Sequence, residues 1–599
     1  MRAGQAGTAL GLGRLGRSSN CSSFIYHQGQ GADRTYRAVL IGNHDPPLYR
    51  ISHPPRVVST PGTIPRYKPF MVDGRSEVEA SRFGLSLSSA ANSFAHMSGR
   101  RCCCSVNFGT LAGALFLAFG VGACHKSDSS AKQLSTAGPL QSCKLPGIKE
   151  ELLCGKLTVF ENRETRSGRT IDLNVVVLPA LDSTSKEEPL FDLAGGPGVA
   201  ATGGAAFYAN EGKEYRRHRD VVLIDQRGTG KSNPLTAPAR TKSPQDYLTE
   251  MYPVEYVKNL RRTLEQHADL TQYTTSIAMD DLDEVRSWLG YERINLFGLS
   301  YGSRAVLVYM RQHPDRVHTA TIIGVAPTYL KMPLYHSQAA ARAMELLLQE
   351  CERDSTCRQA FPQIRLDWQN VLSQLGREPA RVLYSPADKS APVTVEIQRD
   401  IFAERIRTWM YDRDKARRIP FIIHQAAQSD FGPFLREAIS PSISDFIADG
   451  MYLSVTCAED TPFINQAEAA KLNEGNPFGN YRVFQQSRAC SLWPQGKIPA
   501  AYHDPVSSNI PVLIFSGTMD PVTPPQRGEE VAKYLPNSRH VIIPQAGHGV
   551  DGLSDQGCVD RIIIEFMDKG SARDLDTSCV ERMAAPPFTT RATIRLKSK

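Results

Sequence analysis

A serine lies at the centre of the sequence Gly-Leu-Ser-Tyr-Gly at residues 298–302. The apolar run before it, 293–297, is typical of a buried strand, and the residues after it have the apolar spacing of a helix. Glycine neighbours permit a sharp strand-to-helix turn, and the helix N-terminus favours the negative charge that develops during acyl transfer. We therefore predict that Ser300 is a nucleophile rather than part of a merely structural turn.

A serine hydroxyl needs a base, and the base needs an acid that orients it. Asp520 follows the apolar run 511–516, and His548 follows the run 540–543, so both lie where a strand should end. The chain order of serine, acid and histidine is the one that accompanies a nucleophile on a strand-to-helix turn. These residues predict a triad of Ser300, Asp520 and His548.

An acyl-transfer site also needs two backbone donors for the oxyanion, one from the residue after the nucleophile and one from an early loop. The Tyr301 N–H is the first candidate. The loop Ala-Gly-Gly-Pro-Gly at 194–198 follows another apolar run, and the Gly196 N–H is the second candidate.

Two phosphate-binding interpretations compete for nearby glycines. The pattern G-x-G-x-x-A at 196–201, with an acid about twenty residues later, fits a dinucleotide fingerprint, but a single match is weak. Residues 228–232, Gly-Thr-Gly-Lys-Ser, look like the end of a phosphate-binding loop, but Asp225 stands where that loop requires its first glycine. The triad accounts for the first loop, and the second pattern fails.

The elements that must position these residues alternate along the chain from about residue 150. Short apolar runs bounded by Gly, Pro or Asp predict strands at 171–178, 189–193, 220–224, 293–297, 319–325, 511–516 and 540–543. Helical spacing is clearest at 277–289, 339–350 and 399–411. This pattern predicts a mostly parallel sheet covered by helices, interrupted by a helix-rich cap.

Several motifs together resemble the proline-iminopeptidase-like serine peptidases, and the cysteines and long cap resemble their secreted tripeptidyl-aminopeptidase branch. The motifs are GGPG at 195–198, DQRGTGKS at 225–232, GLSYG at 298–302, and the loops of Asp520 and His548. The resemblance covers about residues 140–585. It implies an α/β-hydrolase fold and release of short peptides or single residues from substrate N-termini. Ala194 replaces the histidine of the iminopeptidase motif, which favours the tripeptidyl branch.

An aminopeptidase has to meet a free ammonium with a carboxylate. Glu459, with Asp460 in reserve, is our candidate, since both follow Cys457 near the end of the cap. The alternative is a solvated acidic turn. Arg227 in the DQRG motif is predicted to form a structural ion pair.

The segment 97–124 has the anatomy of a secretory signal, with two arginines, an apolar stretch and small residues before Cys124. It resembles a bacterial lipoprotein signal, which predicts lipidation of Cys124, a tether at 125–142 and a location in the cell envelope. An uncleaved anchor helix is the alternative. We interpret residues 1–96 as a non-native or disordered extension.

Eight of the thirteen cysteines lie beyond Cys124, as four pairs of sequence neighbours without the spacing of a zinc site. We predict disulfides, which imply an oxidising compartment. The pairs are Cys143–Cys154, Cys351–Cys357, Cys457–Cys490 and Cys558–Cys579.

The chain has 599 residues, 22% of them charged, and a net charge of +7. Residues 1–124 carry 13 Lys and Arg against 5 Asp and Glu, and the remaining 56 basic and 57 acidic residues nearly balance. The body therefore offers no basic surface for nucleic acid.

The expected organisation is a hydrolase core at 143–330 and 506–590 around a cap at 331–505. We expect a lipid-anchored serine exopeptidase that acts on peptides without a metal or organic cofactor. The sequence leaves the oligomeric state open. It also leaves two other functions open: a carboxylesterase or lipase with the same triad, and a non-catalytic surface-binding lipoprotein.

Overall fold

The computed structural model describes residues 140–182, 184, 187–237, 242–386, 391–440 and 446–591. These residues all fall within one compact unit. The predicted extension, signal segment and Cys124 lie outside the described residues. The predicted tether also lies outside, except for its last residues, which form part of a strand.

Eleven strands occur in the described part of the chain, where apolar and β-branched residues alternate or run together. They are β1 (Gln141–Cys143), β2 (Leu152–Phe160), β3 (Thr170–Leu178), β4 (Leu190–Leu193), β5 (Val221–Ile224), β6 (Ile294–Leu299), β7 (Val317–Ile323), β8 (Ala380–Tyr384), β9 (Val393–Ile397), β10 (Val512–Gly517) and β11 (Ser538–Ile543). All seven predicted strands are present, with ends that differ by one or two residues. Strands β1, β2, β8 and β9 were not predicted.

The helices have their apolar residues on the faces that contact the sheet or each other. They are α1 (Ala205–Ala209), α2 (Val254–Leu264), α3 (Thr275–Trp288), α4 (Tyr301–Gln312), α5 (His336–Arg353), α6 (Ser355–Ala360), α7 (Ile364–Arg377), α8 (Arg399–Trp409), α9 (Arg413–Ala416), α10 (Ile419–Ala427), α11 (Gly432–Ala438), α12 (Asp449–Glu459), α13 (Gln466–Leu472), α14 (Tyr481–Cys490), α15 (Pro525–Ala532) and α16 (Gly557–Lys569). The three predicted helices correspond to α3, α5 and α8.

Nine of these strands form one sheet in the order β1-β2-β3-β5-β4-β6-β7-β10-β11. The pairs from β1 to β5 are antiparallel, and all pairs from β5 to β11 are parallel. Strand β4 lies between β5 and β6, so Leu190 pairs with Val221 on one side and with Asn295 on the other. The mostly parallel sheet that the sequence predicted is confirmed, and the loops after β4, β6, β10 and β11 reach the same edge.

Two apolar layers cover the sheet. On one face, α3 and α4 bring Leu282, Val285 and Leu307 into contact with the strands. On the other face, α16 contributes Ile562 and Phe566. All five side chains are at least 97% buried. This burial fixes the strand ends that carry the candidate site.

The segment between β7 and β10 contains α5 to α14 and the antiparallel hairpin of β8 and β9. It has its own apolar core, which includes Leu347, Phe402 and Phe434. Several hydrogen bonds connect it to the loops after the strands; for example, Arg342 donates to the Thr518 carbonyl at 2.8 Å, and the Ala448 N–H donates to the Gly198 carbonyl at 2.9 Å. This segment therefore lies over the carboxyl edge of the sheet.

Four disulfides join the same eight cysteines that the sequence paired. They are Cys143–Cys154, Cys351–Cys357, Cys457–Cys490 and Cys558–Cys579. Among the residues described, no helix combines the length and apolarity needed to cross a bilayer.

Candidate active site

The candidate nucleophile lies where β6 turns into α4. Ser300 has φ 62° and ψ −123°, a conformation that costs a residue with a side chain about 1–3 kcal/mol. Its N–H donates to the Ile323 carbonyl at 2.9 Å, and Ser303 Oγ donates to its carbonyl at 2.5 Å. These bonds fix the strained turn between β6 and β7.

Glycine is required at position 302 because the turn packs directly against the end of β4. A Cβ at Gly302 would lie 2.0 Å from the Leu193 carbonyl oxygen and 3.3 Å from that of Ala194. Backbone atoms cannot move away as a flexible side chain can. The second glycine of the Gly-x-Ser-x-Gly motif therefore sets the distance between the nucleophile and the loop that follows β4.

The loop after β4 passes beside the nucleophile. A Cβ built on Gly195 would lie 3.5 Å from Ser300 Cβ. Gly196 has φ 113°, which a residue with a side chain rarely adopts. Among the described residues, neither the Gly196 N–H nor the Tyr301 N–H donates to another group. Both N–H groups therefore remain candidate oxyanion donors.

The predicted acid and base are in direct contact. His548 Nδ1 lies 2.8 Å from Asp520 Oδ2, and both side chains are buried. The other Asp520 oxygen accepts from the N–H groups of Val522 and Thr523 at 2.8 and 2.9 Å, and Thr523 Oγ1 donates to Oδ2 at 2.8 Å. Burial alone would raise the pKa of Asp520, but the His548 charge and these donors outweigh it and lower the pKa.

An ionised Asp520 fixes the tautomer of His548. The carboxylate accepts the proton on Nδ1, which leaves Nε2 with its lone pair. Nε2 has no hydrogen-bond partner among the described residues, and the atom is buried. The His548 ring packs against Gly324, the residue directly after β7. A Cβ built on Gly324 would lie 3.1 Å from His548 Cε1. His548 can therefore accept a proton at Nε2, and its ring lies next to the residue after Ile323, whose carbonyl accepts the Ser300 N–H.

Glu459 and Asp460 are placed differently from the prediction. Both side chains have no exposed surface. Glu459 accepts from the Thr275 N–H at 2.6 Å, from the Thr275 hydroxyl at 2.8 Å and from the Tyr502 hydroxyl. Asp460 accepts two hydrogen bonds of 3.0 Å from Arg304. In this structure protein donors therefore contact both carboxylates, and the two residues do not form a solvated turn; the ammonium-anchor role stays a prediction.

The Glu459 network instead reaches the residue after the nucleophile. The Thr275 hydroxyl, which donates to Glu459, is 2.9 Å from the Tyr301 hydroxyl. Arg304, one turn further along α4, also donates to the Leu330 carbonyl at 2.5 Å. The end of α12 is thus connected to the first two turns of the nucleophile helix.

The predicted structural role of Arg227 is confirmed. Its guanidinium is fully buried, and it makes two bonds of 2.6 and 2.8 Å to Asp281. In the loop that resembles a phosphate-binding sequence, the Lys231 N–H donates to Asp225 at 3.0 Å. Asp225 also accepts from Thr202 on both its N–H and its hydroxyl. A carboxylate therefore occupies the place that a phosphate would need.

Sequence reasoning missed two residues that complete the catalytic pair. Thr523 donates to Asp520, and its position three residues later in a proline-rich turn was a readable signal. Tyr411 contacts His548 edge-on at 4.8 Å between ring centroids, and its carbonyl accepts the His548 N–H at 3.0 Å. No sequence signal connects Tyr411, which belongs to the cap, with a histidine that follows β11.

The described residues contain no group of three or more His, Cys, Asp or Glu side chains placed to hold a metal ion. The arrangement suits acyl transfer to a serine, since it places a strained serine and an oriented imidazole at one sheet edge.

Comparison with known proteins agrees with this chemistry. Residues 190–360 match a family model described as the alpha/beta hydrolase fold, and residues 475–579 match one described as TAP-like protein. The tripeptidyl aminopeptidase of Streptomyces coelicolor is 22% identical over 74% of this chain and 85% of its own length. The serine protease Hip1 of Mycobacterium tuberculosis is 21% identical over 73% of this chain and 88% of its own length.

Among solved structures, proline iminopeptidase of Mycobacterium smegmatis aligns with 69% of this chain and 98% of its own, at 16% identity and a TM-score of 0.32. The family assignment depends on the two sequence models, the curated relatives and the sheet topology. These matches and the sheet topology show an α/β-hydrolase fold, and the chain is similar to serine peptidases of the TAP-like branch.

Proposed function

We propose that the protein is an exported serine exopeptidase that releases short peptides from substrate N-termini through an acyl-enzyme. The observation that carries this proposal is the pairing of His548 with Asp520 at the same sheet edge as the strained Ser300. The cap over that edge supports an exopeptidase, because it restricts how far a substrate extends past the scissile bond. The similarity to the tripeptidyl aminopeptidase of Streptomyces coelicolor supports the same substrate class.

In the first half of the proposed reaction, Ser300 Oγ attacks the substrate carbonyl carbon while His548 Nε2 takes the hydroxyl proton. The carbonyl oxygen becomes an oxyanion that accepts from the Gly196 and Tyr301 amides. When the C–N bond breaks, His548 gives its proton to the leaving amine and the acyl-enzyme remains. Asp520 stays ionised throughout and stabilises the imidazolium.

In the second half, water attacks the acyl carbon and gives its proton to His548 Nε2. The same two amides hold the second oxyanion, and collapse returns the proton to Ser300 Oγ. Water is the only co-reactant, so the cycle closes without a metal or redox partner.

Labelling with a fluorophosphonate probe tests the nucleophile. The wild-type mature protein should be labelled on Ser300, and Ser300→Ala should lose both the label and peptidase activity. Ser337→Ala is the matched control, because this buried serine on α5 donates to the Gly479 carbonyl and is outside the triad. Retention of label and activity in Ser300→Ala would show that another residue is the nucleophile.

Paired substrates test the reaction class. A free peptide, its N-acetylated twin and an ester of the same acyl group are incubated with the protein, and products are identified by mass spectrometry. An exopeptidase should cleave the free peptide at least roughly tenfold faster than the acetylated twin, because the acetyl group removes a charge and adds bulk at a confined end. Equal cleavage of both peptides would exclude the exopeptidase, and hydrolysis of the ester alone would identify a carboxylesterase.

Export is supported by the four disulfides, which form in oxidising compartments. We extend the proposal to lipidation of Cys124 in the cell envelope. Cys124→Ser should then release the protein from the membrane fraction or leave it unprocessed. Unmodified Cys124 in membrane-bound native protein, detected by intact mass, would contradict lipidation.

A further inference from the structure

A buried charged cluster on the cap lies beside the catalytic histidine. We call it the arginine cluster, and it consists of His336, Glu404, Arg407 and Arg482. His336 is the first residue of α5, Glu404 and Arg407 lie on α8, and Arg482 lies on α14. The proposed acyl-transfer steps use none of them.

The arginine cluster is joined to the active site through Tyr411. The Tyr411 ring contacts the His548 ring at 4.8 Å, and Arg407 donates to the Tyr411 hydroxyl at 3.1 Å. Arg407 is therefore one hydrogen bond away from a residue that touches the catalytic imidazole. The arginine cluster therefore adjoins the candidate active site.

The cluster has more positive than negative charge. Glu404 accepts two hydrogen bonds from Arg407, of 2.7 and 2.8 Å, and these satisfy one guanidinium. Arg482 is 3.9 Å from the same carboxylate, and its hydrogen bonds go to the Tyr452 hydroxyl at 2.8 Å and the Met251 sulfur. Within the described residues, no second carboxylate lies within 4.0 Å of either guanidinium. One carboxylate thus faces two arginines.

The charged side chains are nearly dry. Arg407 is 4% exposed, and Glu404 and Arg482 are each 11% exposed. A positive charge with an incomplete counter-ion is costly in such surroundings, because water cannot replace the missing partner.

His336 adds a donor without an acceptor. It is 7% exposed, and neither ring nitrogen has a hydrogen-bond partner. Burial lowers the pKa of His336, and the positive charges of Arg407, Arg482 and His548 lower it further. The ring is therefore neutral at physiological pH and carries one N–H that no described residue accepts.

We propose that the arginine cluster binds a carboxylate of the substrate, with Arg482 as its main partner and the His336 N–H as a second donor. Guanidinium groups suit this ligand because they donate two parallel hydrogen bonds to it. A carboxylate brings the local count to two negative and two positive charges. This inference depends on the proposed function only in taking the substrate to be a peptide.

Access to the cluster and access to the catalytic base are linked. The His548 Nε2 atom has as little exposed surface as the His336 nitrogens and the Arg482 Nε atom. Any substrate that reaches His548 has to open the space between cap and sheet edge. The same opening admits a carboxylate to the arginine cluster.

A peptide offers a carboxylate from two sources, an acidic side chain or its own C-terminus. The test therefore uses one parent peptide in matched forms. In the first arm, glutamate replaces glutamine at each position in turn. In the second arm, a free C-terminal acid replaces the C-terminal amide. For each pair, kcat/KM is measured at low ionic strength and expressed as the ratio of acid to amide.

The wild-type protein should favour the acid roughly 10- to 100-fold in one of the two arms, the range expected for a hydrogen bond to a charged group. The arm that shows the preference identifies the source of the carboxylate. Arg482→Gln should reduce the ratio to near one, and Arg482→Lys should restore part of it. Arg488→Gln should leave the ratio unchanged, because Arg488 lies on the same helix but pairs with Glu250.

A wild-type ratio near one in every pair would overturn the inference, as would a preference that survives Arg482→Gln. The acid-to-amide ratio of the wild-type protein needs no variant. The inference can therefore be refuted even if the Arg482 variants do not fold. If no peptide is cleaved but esters are, the peptidase proposal fails by itself. The acid-to-amide ratio is then measured on ester substrates with a remote carboxylate or carboxamide, with the same two outcomes.

Discussion

The carboxyl group of Glu459 should make the protein less stable as the pH rises, which is the opposite of the usual effect of a buried, ionised carboxylate. Burial raises the pKa of Glu459 from its ordinary 4.5 to about 7, although the Arg304 charge and the hydrogen bonds from Tyr502 and Thr275 offset part of that rise. The folded protein therefore holds a proton on Glu459 up to about pH 7, whereas the unfolded chain releases it near pH 4.5.

The direction in which stability changes with pH follows from the number of protons that each state binds. Between these two pH values the folded state binds more protons than the unfolded state, so the free energy of unfolding falls as pH rises. The contribution is fully present below pH 4.5 and is lost as pH rises through 7. The difference between the two pKa values corresponds to about 3 kcal/mol at 1.36 kcal/mol per pH unit.

Glu459→Gln removes this ionisation but keeps an oxygen that accepts from Thr275. Urea unfolding of the disulfide-intact mature protein, followed by circular dichroism at pH 4.5 and pH 8, measures the free energy of unfolding of both proteins. Relative to the variant, the wild type should lose about 3 kcal/mol between the two pH values. Glu265→Gln is the control, because this exposed residue directly after α2 pairs with Arg261 at 2.7 Å on the protein surface.

The reasoning would be refuted if the free energies of unfolding of the wild type and the variant differed by the same amount at pH 4.5 and at pH 8. Such a result would mean that Glu459 ionises in the folded protein as easily as in water. It would require solvent or a cation to reach the carboxylate in the folded protein.

Three further predictions test the site and its framework. Asp520→Asn should lower kcat by roughly a thousandfold or more, because the wrong His548 tautomer is favoured, and steady-state kinetics that match wild type would exclude Asp520 as the orienting acid. Gly302→Ala should cost about 1–3 kcal/mol or more in urea unfolding, since its Cβ would overlap the Leu193 carbonyl, and wild-type stability would contradict that packing. Replacing Cys457 and Cys490 together with serine should cost about 2–4 kcal/mol by the same assay, and an unchanged midpoint would argue against a stabilising disulfide.

Local sequence was enough to predict the elements that carry the triad. Strands β6, β10 and β11 are apolar runs that end at turn residues, and a parallel sheet places such ends at one edge. The glycines around Ser300 indicate a turn that only a small residue allows, and Gly302 meets that requirement in the structure. Each signal lies within a few residues of the side chain that it positions.

Elements with a weaker apolar pattern were missed. Strand β2 includes Gly155 and Lys156 and pairs with the short edge strand β1, so its sequence alternates incompletely. The hairpin of β8 and β9 belongs to the cap, where four of its ten residues are exposed and its two buried side chains, Val395 and Ile397, both lie on β9. Tertiary contacts stabilise these strands, and a single sequence does not display them.

The surroundings of Glu459 could not be predicted from the sequence for a related reason. Cys457 and its disulfide correctly indicated an ordered segment, but order does not tell which way a side chain points. Glu459 faces Thr275 and Tyr502, which are 184 and 43 residues away in sequence. Two adjacent acidic residues can belong to a buried hydrogen-bond network or to a ligand site. Only the residues that contact them in the fold distinguish these two possibilities.

The same limit separates what the sequence says about chemistry from what it says about substrates. The triad is readable because each member follows a strand whose end is fixed by the sheet. No comparable sequence rule predicts the cap side of the site. Glu404 and Arg482 are 78 residues apart in sequence and lie on different helices. The excess positive charge of the arginine cluster therefore arises only when the cap folds. Because acyl transfer requires the triad and not the cap, a shared fold and a shared triad constrain the reaction far more than the substrate. Selectivity among peptides therefore has to be tested on cap residues such as Arg482, and variants of Ser300 or His548 cannot reveal it.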